Sequence, residues 1–464
     1  MRHFSVILTA LCLSGTLPIH AAGHALTLEQ CREMALTHNL AIQQAAAQVE
    51  SADATQKSYK ANYFPSISLS GMMVMGTLDK ELTIDGGYLP TFAPDASGVL
   101  QPQIIGQAAD GTPLFASYAF MPDIALRFKM NSLVTGGLQL EQPLYMGGKV
   151  GTAYKMAELG GRMARESASL TRDEVILESD KAYYSCVEAQ AMVKSLEVYC
   201  GMLEELARVV GHAVDAGMKQ RKDLLSVQVK QNEAALNLSR AEHAVQLAGM
   251  NLCRVTGLPL TEDVEVVLEE APSVLQLPDA ADVKGRKEYT LLTSQMELKA
   301  YETELEKSAL RPQVGLMALY GYGHGLQFNG DNLLDGGSFV AMLKVSVPIL
   351  HAGEGRHKVQ AAEAESRKAE LAREDAARKM ELEIRQAVSS YQEAQLEVEL
   401  TRKSLEQADE NCKVSRDRYD AGQEMLTDLL EAQTFWQQAE AGFISACARM
   451  GLAGTVCLKA AGKL

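Results

Sequence analysis

The sequence VDAGMKQRKDLLSVQ at 214–228 returns as YDAGQEMLTDLLEAQ at 419–433, with seven of fifteen positions identical and every pair 205 residues apart. The same offset maps Pro143 onto Pro348, Gly148 onto Gly353, Glu158 onto Glu363, and Glu188-Ala189-Gln190 onto Glu393-Ala394-Gln395. A gapless offset over this distance is an internal duplication, so the chain is read as one architectural unit built twice. Upstream the register changes, because Pro65 and Pro312 are 247 apart. The first copy therefore holds about 42 extra residues, rich in Gly, Pro, Asp and Ser, which read as a long loop.

Within each copy the breakers are sparse. No proline occurs between 143 and 259, nor after 348, and 356–421 lacks glycine as well. A helix over those 66 residues would be roughly 100 Å long. Stepping alternately four and three from Met380 gives Ile384, Ala387, Tyr391, Ala394, Val398, Thr401, Leu405, Ala408, Cys412, Ser415 and Tyr419. Subtracting 205 gives Val175, Ser179, Ala182, Cys186, Ala189, Val193, Leu196, Cys200, Leu203, Ala207, Val210 and Val214. Both copies thus carry a heptad seam, the pattern of coiled-coil packing, and its small residues imply close helix approach. Cys186, Cys200 and Cys412 lie on the seam and read as small packed residues rather than metal ligands or disulfides.

Short alternating segments lie between the helices. In SFVAMLKVSV, Phe339, Ala341, Leu343, Val345 and Val347 share one face, with Ser338, Lys344 and Ser346 on the other. SISLSG at 66–71 alternates in the same way. Strands are expected near 64–76, 128–143, 312–324 and 338–348. Period two with one apolar face suits either an amphipathic sheet in water or strands that span a membrane. Four strands cannot close a barrel, and an open edge is not tolerated in lipid; membrane strands here would require several chains to share one barrel, three giving twelve strands.

Composition limits the alternatives. A formal net charge of −15 lacks the basic footprint of a nucleic-acid binder. No uninterrupted run of 18 apolar residues follows the N-terminus, which argues against a spanning helix. Residues 1–25 read as a cleaved secretory signal, with Arg2 and His3 ahead of an apolar run and small residues at Ala21–Ala25. Cys12 sits inside that run, so no lipid-attachment site is assigned, and seven cysteines remain for the exported chain, an odd number that a disulfide framework would not produce. There is no P-loop, HExxH, GxSxG or CxxC motif, so no enzyme is expected, and no cofactor or metal. The methionines, including Met72, Met73 and Met75, read as packing residues rather than soft-metal ligands. The expected organisation is a signal at 1–25, a first repeat at 26–257, a linker at 258–284, a second repeat at 285–455 and a tail at 456–464. A secreted coiled-coil structural or adhesive protein would account for the heptads and signal, but leaves the alternating strands unexplained.

The chain resembles the TolC-type outer-membrane efflux proteins. The likeness runs through LTLEQCREMALTHNLAI (26–42), KANYFPSISLSG (60–71), PLYMGGK (143–149), AGMKQRKDLLSVQ (216–228), CRVTGLPL (253–260) and RYDAGQEMLTDLLEAQ (418–433). It implies an α+β membrane protein: a homotrimer whose twelve-stranded β-barrel crosses the outer membrane and continues as a periplasmic α-helical coiled-coil barrel. The implied partners are outer-membrane lipid, a periplasmic adaptor, and an inner-membrane pump or secretion transporter. Each recurring turn would be a tip where the adaptor docks, placing Asp215, Ala216, Gly217 and Met218, and Asp420, Ala421, Gly422 and Gln423, in that role. The family's acidic constriction corresponds to Asp428 and Glu431, whose i, i+3 spacing puts both on one helix face. Three-fold symmetry would ring an axis with six carboxylates, which favours cations. Tyr419 and Asp223 match the family's closing contacts, but Glu424 stands where a basic residue is expected, leaving Lys219, Arg221 or Lys222 as candidates for the missing cation. The substrate class stays open among drugs, metals, metabolites and polypeptides.

Overall fold

The structure, a computed structural model, describes residues 26–267, 282–350 and 352–464. The signal segment and most of the 258–284 linker lie outside the described residues. Seven helices run α1 (Leu28–His38), α2 (Leu40–Ala61), α3 (Lys149–Asp215), α4 (Arg221–Thr256), α5 (Lys287–Ser308), α6 (Glu354–Asp420) and α7 (Leu426–Ala460). The duplication is exact in length where it matters: α3 and α6 each have 67 residues, and α2 and α5 each have 22. Both ends of α3 fall 205 residues before those of α6, and both ends of α2 fall 247 before those of α5, the two offsets read from the sequence. Helix α7 continues to Ala460, where Cys457 and Ala460 are buried, so the first residues of the expected tail are the helix's last turn.

The chain forms two compact units that cut across the repeats. One comprises Met1–Ala54, Glu158–Lys299 and Ala364–Leu464; the other comprises Thr55–Ala157 and Ala300–Glu363.

The first unit is helical. The α6 seam is its clearest feature: Met380, Ile384, Ala387, Tyr391, Ala394, Val398, Cys412, Ser415 and Tyr419 are all buried. Seven of the nine pack in two clusters. One joins Ile384, Tyr391 and Val398 to Ala446, Met450 and Cys457 of α7. The other joins Leu203, Val210, Val227, Tyr419, Leu429 and Trp436 across α3, α4, α6 and α7. A third cluster brings Cys31 of α1 against Cys186 of α3 and Cys253 of α4, all free thiols. Burial pushes the Cys31 thiol up to about 12 and the Cys186 thiol up to about 11. Small residues let the helices close up: at buried Gly451 of α7 an added Cβ would lie 2.3 Å from the Tyr184 ring.

A buried ion pair anchors α1. Arg32 donates Nε to Asp180 Oδ1 at 2.7 Å and Nη2 to Oδ2 at 2.6 Å, and Thr455 Oγ1 donates to the same Oδ2 at 2.6 Å. Asp180 is fully buried, so these three donors satisfy a carboxylate that has no water.

Among the described residues α7 is the one helix long and apolar enough to cross a membrane, with an 18-residue window of mean hydropathy 1.4. Its apolar residues Ala446, Met450, Cys457 and Ala460 instead pack against the α6 seam.

The second unit holds four long antiparallel strands, β1 (Ser66–Ile84), β8 (Ile124–Met146), β9 (Gln313–Phe328) and β10 (Asp331–Ser346), in the order β1-β8-β9-β10. All four expected strands are present and longer than expected. Helix α5 gives way to β9 around Pro312, whose ring cannot continue a helix. Strands β9 and β10 turn over Asn329 (φ 51) and Gly330 (φ 91), the positive-φ pair that a two-residue hairpin requires. The corresponding connection between β1 and β8 is not the irregular loop expected from its composition. It contains β2 (Gly87–Pro90), β3 (Phe92–Pro94), β4 (Leu100–Pro102), β5 (Ile104–Gln107), β6 (Pro113–Phe115) and β7 (Tyr118–Met121), paired β2 with β7, β3 with β4 and β5 with β6.

Candidate functional site: a two-faced sheet and a pair of matched turns

The register of the long sheet sorts its side chains. Leu69, Leu138, Tyr320 and Phe339 are successive cross-strand partners, as are Ile67, Leu140, Ala318 and Ala341. Partners share a face. The opposite face carries Ser70, Gly137, Gly321 and Ser338, and then Ser68 and Gln139, interrupted by Leu319 and Val340. The apolar row is open to the surroundings in the single chain, with Leu69 80% and Phe339 68% exposed. Strands β1 and β10 each leave one edge unpaired. An apolar face this open, bounded by two free edges, is a surface built to be covered.

The two recurring turns have one geometry. After α3, the Gly217 N–H donates to Val214 O at 2.9 Å and the Met218 N–H to Ala213 O at 2.8 Å. After α6, the Gly422 N–H donates to Tyr419 O at 3.0 Å and the Gln423 N–H to Arg418 O at 2.9 Å. Gly217 has φ 72° and Gly422 φ 71°. Each is therefore a Schellman stop, in which a left-handed glycine lets two amides satisfy the helix's last carbonyls. That backbone requirement is why the DAG triplet recurs. Ala216, Gly217 and Met218, and Ala421, Gly422 and Gln423, are exposed, while Asp215 and Asp420 are the last residues of α3 and α6.

The acidic residues occupy different settings. Asp223 is half-buried in the first turn of α4, where its carboxylate accepts the Gln220 N–H at 3.2 Å. Its counterpart Asp428 is exposed on α7 and accepts from Thr427 Oγ1 at 3.2 Å. Glu431 is exposed on the same side of α7, opposite buried Leu426, Leu429 and Leu430. Asp428 and Glu431 therefore share a face, as their spacing required, and that face points away from the hairpin's own core.

Tyr419 is 7% exposed at the end of the α6 seam. Burial, and then the Asp223 and Asp420 carboxylates, push its phenol up from the ordinary value. Of the three candidate cations, Lys219 reaches it: the ammonium lies 4.7 Å from the centroid of the Tyr419 ring. Arg221 and Lys222 are exposed, and among the described residues their side chains form no ion pair or ring contact. Glu424 turns back onto its own hairpin, accepting from Ser415 Oγ at 2.5 Å. No spacing in the sequence chooses among the three cations, because the choice depends on how the two hairpins pack.

Comparison with known proteins fits this architecture. Residues 291–450 match the family profile described as Outer membrane efflux protein. No curated protein sequence is significantly similar to the chain. Among solved structures, the Campylobacter jejuni CmeC outer membrane channel superposes with a TM-score of 0.74 at 18% identity, over 94% of this chain and 85% of that one. The outer membrane protein VceC of Vibrio cholerae gives 0.70 at 16% identity, over 94% and 96%. The open state of the Neisseria gonorrhoeae MtrE outer membrane channel gives 0.68 at 16% identity, over 94% and 88%. Residues 291–450 thus match the outer membrane efflux protein family over about a third of the chain, and the chain shares its fold with these outer-membrane channels.

Proposed function

We propose that the protein is an outer-membrane exit duct that passively conducts substrates when docked to a periplasmic adaptor and an inner-membrane pump. The observation that carries this reading is the sheet register, which gives four strands one apolar and one polar face and leaves both edges open. Backbone groups along an open edge cannot be left unpaired in lipid. Three copies joined β10 to β1 would close twelve strands, bury every edge, turn the apolar face to lipid and the polar face to a lumen. The long helices would continue that lumen through the periplasm. The exposed turns Asp215–Met218 and Asp420–Gln423 would receive the adaptor, and Asp428 and Glu431, repeated three times, would form the cation-favouring constriction. Asp223 and Tyr419 would belong to the closed tip. No enzymatic step is assigned. Selectivity among substrates would come from the pump, because a water-filled duct discriminates mainly by size and charge.

The test is single-channel conductance of the purified protein in planar bilayers, beside the variant Asp428→Ala/Glu431→Ala. A small cation-selective conductance that rises in the variant, with weaker selectivity, supports duct and constriction together. Unchanged conductance would move the constriction elsewhere. Confirmed trimers that conduct in neither form would sink the duct and favour a secreted coiled-coil structural role.

A further inference from the structure

The face of the sheet opposite the apolar one is divided lengthwise. On β1 and β8 it carries Ser66, Ser68 and Ser70 beside Glu141 and Gln139; on β9 and β10 it carries Met317 and Leu319 beside Met342 and Val340. Cross-strand partners share a face, so Met317 with Met342 and Leu319 with Val340 make one apolar stripe two strands wide. Leu319, Val340 and Met342 are exposed in the single chain. Beside the stripe stand Glu141, which accepts from Gln139 Nε2, and Lys344, two residues along β10 from Met342. Towards the Asn329–Gly330 turn the stripe runs into a cavity of about 400 Å³. Gly137, Gly321 and Gly323 bring no side chain to this cavity, and Ser70, Met72, Thr135, Gln139, Leu319 and Ser338 rim it, none of them ionisable at neutral pH. A concave patch with an apolar flank and a few convergent polar groups is the usual make-up of a small-molecule site.

We propose that this stripe and cavity hold neutral organic molecules with a flat apolar body, such as an aromatic ring bearing a hydroxyl or amide, and that such molecules are the class the duct carries. The second half of that statement rests on reading the sheet as the wall of a duct. A molecule of this kind covers Leu319 and Val340 with its apolar body and so removes apolar surface from water. Its polar group meets the hydroxyls of Ser70, Thr135 or Ser338, or the Gln139 amide, and no counter-charge is needed. A sugar or a hydrated ion would have to give up its own water to lie on the same surface, with no hydrogen bond in return from Leu319 or Val340. In three copies around one lumen the stripe would recur three times, alternating with the serine-lined half, and would add a preference for apolar bodies to the sorting by size and charge.

Substituted cysteines in the full-length protein, folded into phospholipid vesicles, read the site directly. Val340→Cys and Leu69→Cys are each treated with a positively charged, membrane-impermeant methanethiosulfonate, and labelling is counted on the peptide that carries the substituted position. Val340→Cys should label, and Leu69→Cys, on the opposite face, should not. The neutral probe 1-naphthol, at millimolar concentration and pH 7, should slow labelling of Val340→Cys about two- to five-fold, the protection expected of a small ligand with millimolar affinity. Maltose, neutral but polar, should leave the rate unchanged. Adding Leu319→Ser should abolish the protection and adding Leu319→Met should keep it; a rate without probe equal to that of Val340→Cys alone shows that the sheet has formed in both. Labelling of Val340→Cys at one rate with and without 1-naphthol would overturn the proposal and leave the duct standing. So would equal protection by maltose, the mark of simple filling of the lumen, and so would protection that survives Leu319→Ser. Labelling of Leu69→Cys as fast as Val340→Cys, or no labelling of Val340→Cys, would refute the membrane duct itself and the proposal with it.

Discussion

Removing the Asp180 carboxylate should release α1 from the helical unit, and the size of the effect can be worked from its surroundings. Asp180 is fully buried and receives two donors from Arg32 and one from Thr455, while the Arg32 side chain is 23% exposed. Breaking a fully buried ion pair by deleting one partner costs about 3–5 kcal/mol, chiefly because the other charge is stranded. Arg32 can recover some water through its exposed fraction and keeps its contact with Glu29 at 2.8 Å, which lowers the expectation for Asp180→Ala to about 2–4 kcal/mol. Since α1 also packs through Cys31 and Ala35, the loss should appear as local opening rather than global collapse. A chain of two compact units need not unfold in one step, so a single melting curve is the wrong assay. Hydrogen exchange of a peptide covering 28–38 should accelerate roughly 30- to 700-fold, which is 2–4 kcal/mol converted at about 1.4 kcal/mol per decade. Arg385→Ala, which deletes an exposed i, i+4 pair with Glu381 at 2.7 Å, should change its own peptide's exchange less than about three-fold. If Asp180→Ala shifts α1 no more than Arg385→Ala shifts α6, the carboxylate does not anchor the helix and the reasoning fails.

Three further outcomes are expected. Gly217→Ala and Gly422→Ala should each cost about 1–2 kcal/mol, because both glycines hold a left-handed conformation that a Cβ strains; equal acceleration of the two turn peptides in hydrogen exchange checks this, and a large difference would deny that the turns are equivalent. Leu69→Arg should weaken folding into lipid vesicles by about 2–4 kcal/mol, whereas Ser68→Arg, on the other face, should have little effect; urea titration in vesicles measures both, and equal effects would refute the assignment of the faces. Cys31 and Cys186 should resist iodoacetamide at pH 8 until the protein is denatured: burial has raised both thiols, to about 12 and about 11, so at that pH the reactive thiolate is scarce and shielded. Alkylation of the folded protein at the rate of a free thiol would contradict that burial.

Much of this molecule is legible in one dimension because its rules are local or periodic. The 205-residue offset found α3, α6 and both turns, since the two copies keep the same pattern of apolar positions and the same turn glycine. The heptad steps from Met380 found the α6 seam, because 3.5-residue spacing keeps one stripe facing its neighbours. The alternation in SFVAMLKVSV found β10 for the same kind of reason, with period two in place of 3.5. The first connection in the sheet was misread as a loop because its glycines and prolines punctuate strands of only three or four residues, too short for a period to show.

Other features had no trace along the chain. Asp180 meets Arg32 across 148 residues and Thr455 across 275, and nothing in the spacing distinguishes it from the solvated acids nearby. Lys219, Arg221 and Lys222 are equivalent as sequence, and only the packing of two hairpins lays one of them over Tyr419. Sequence by itself therefore determined the long helices and strands, their repetition and the face that the seam of α6 buries, because those follow from interactions within a few residues. Which side chains meet across hairpins was decided by tertiary structure, because that depends on how helices far apart in the chain set their crossing and register against one another.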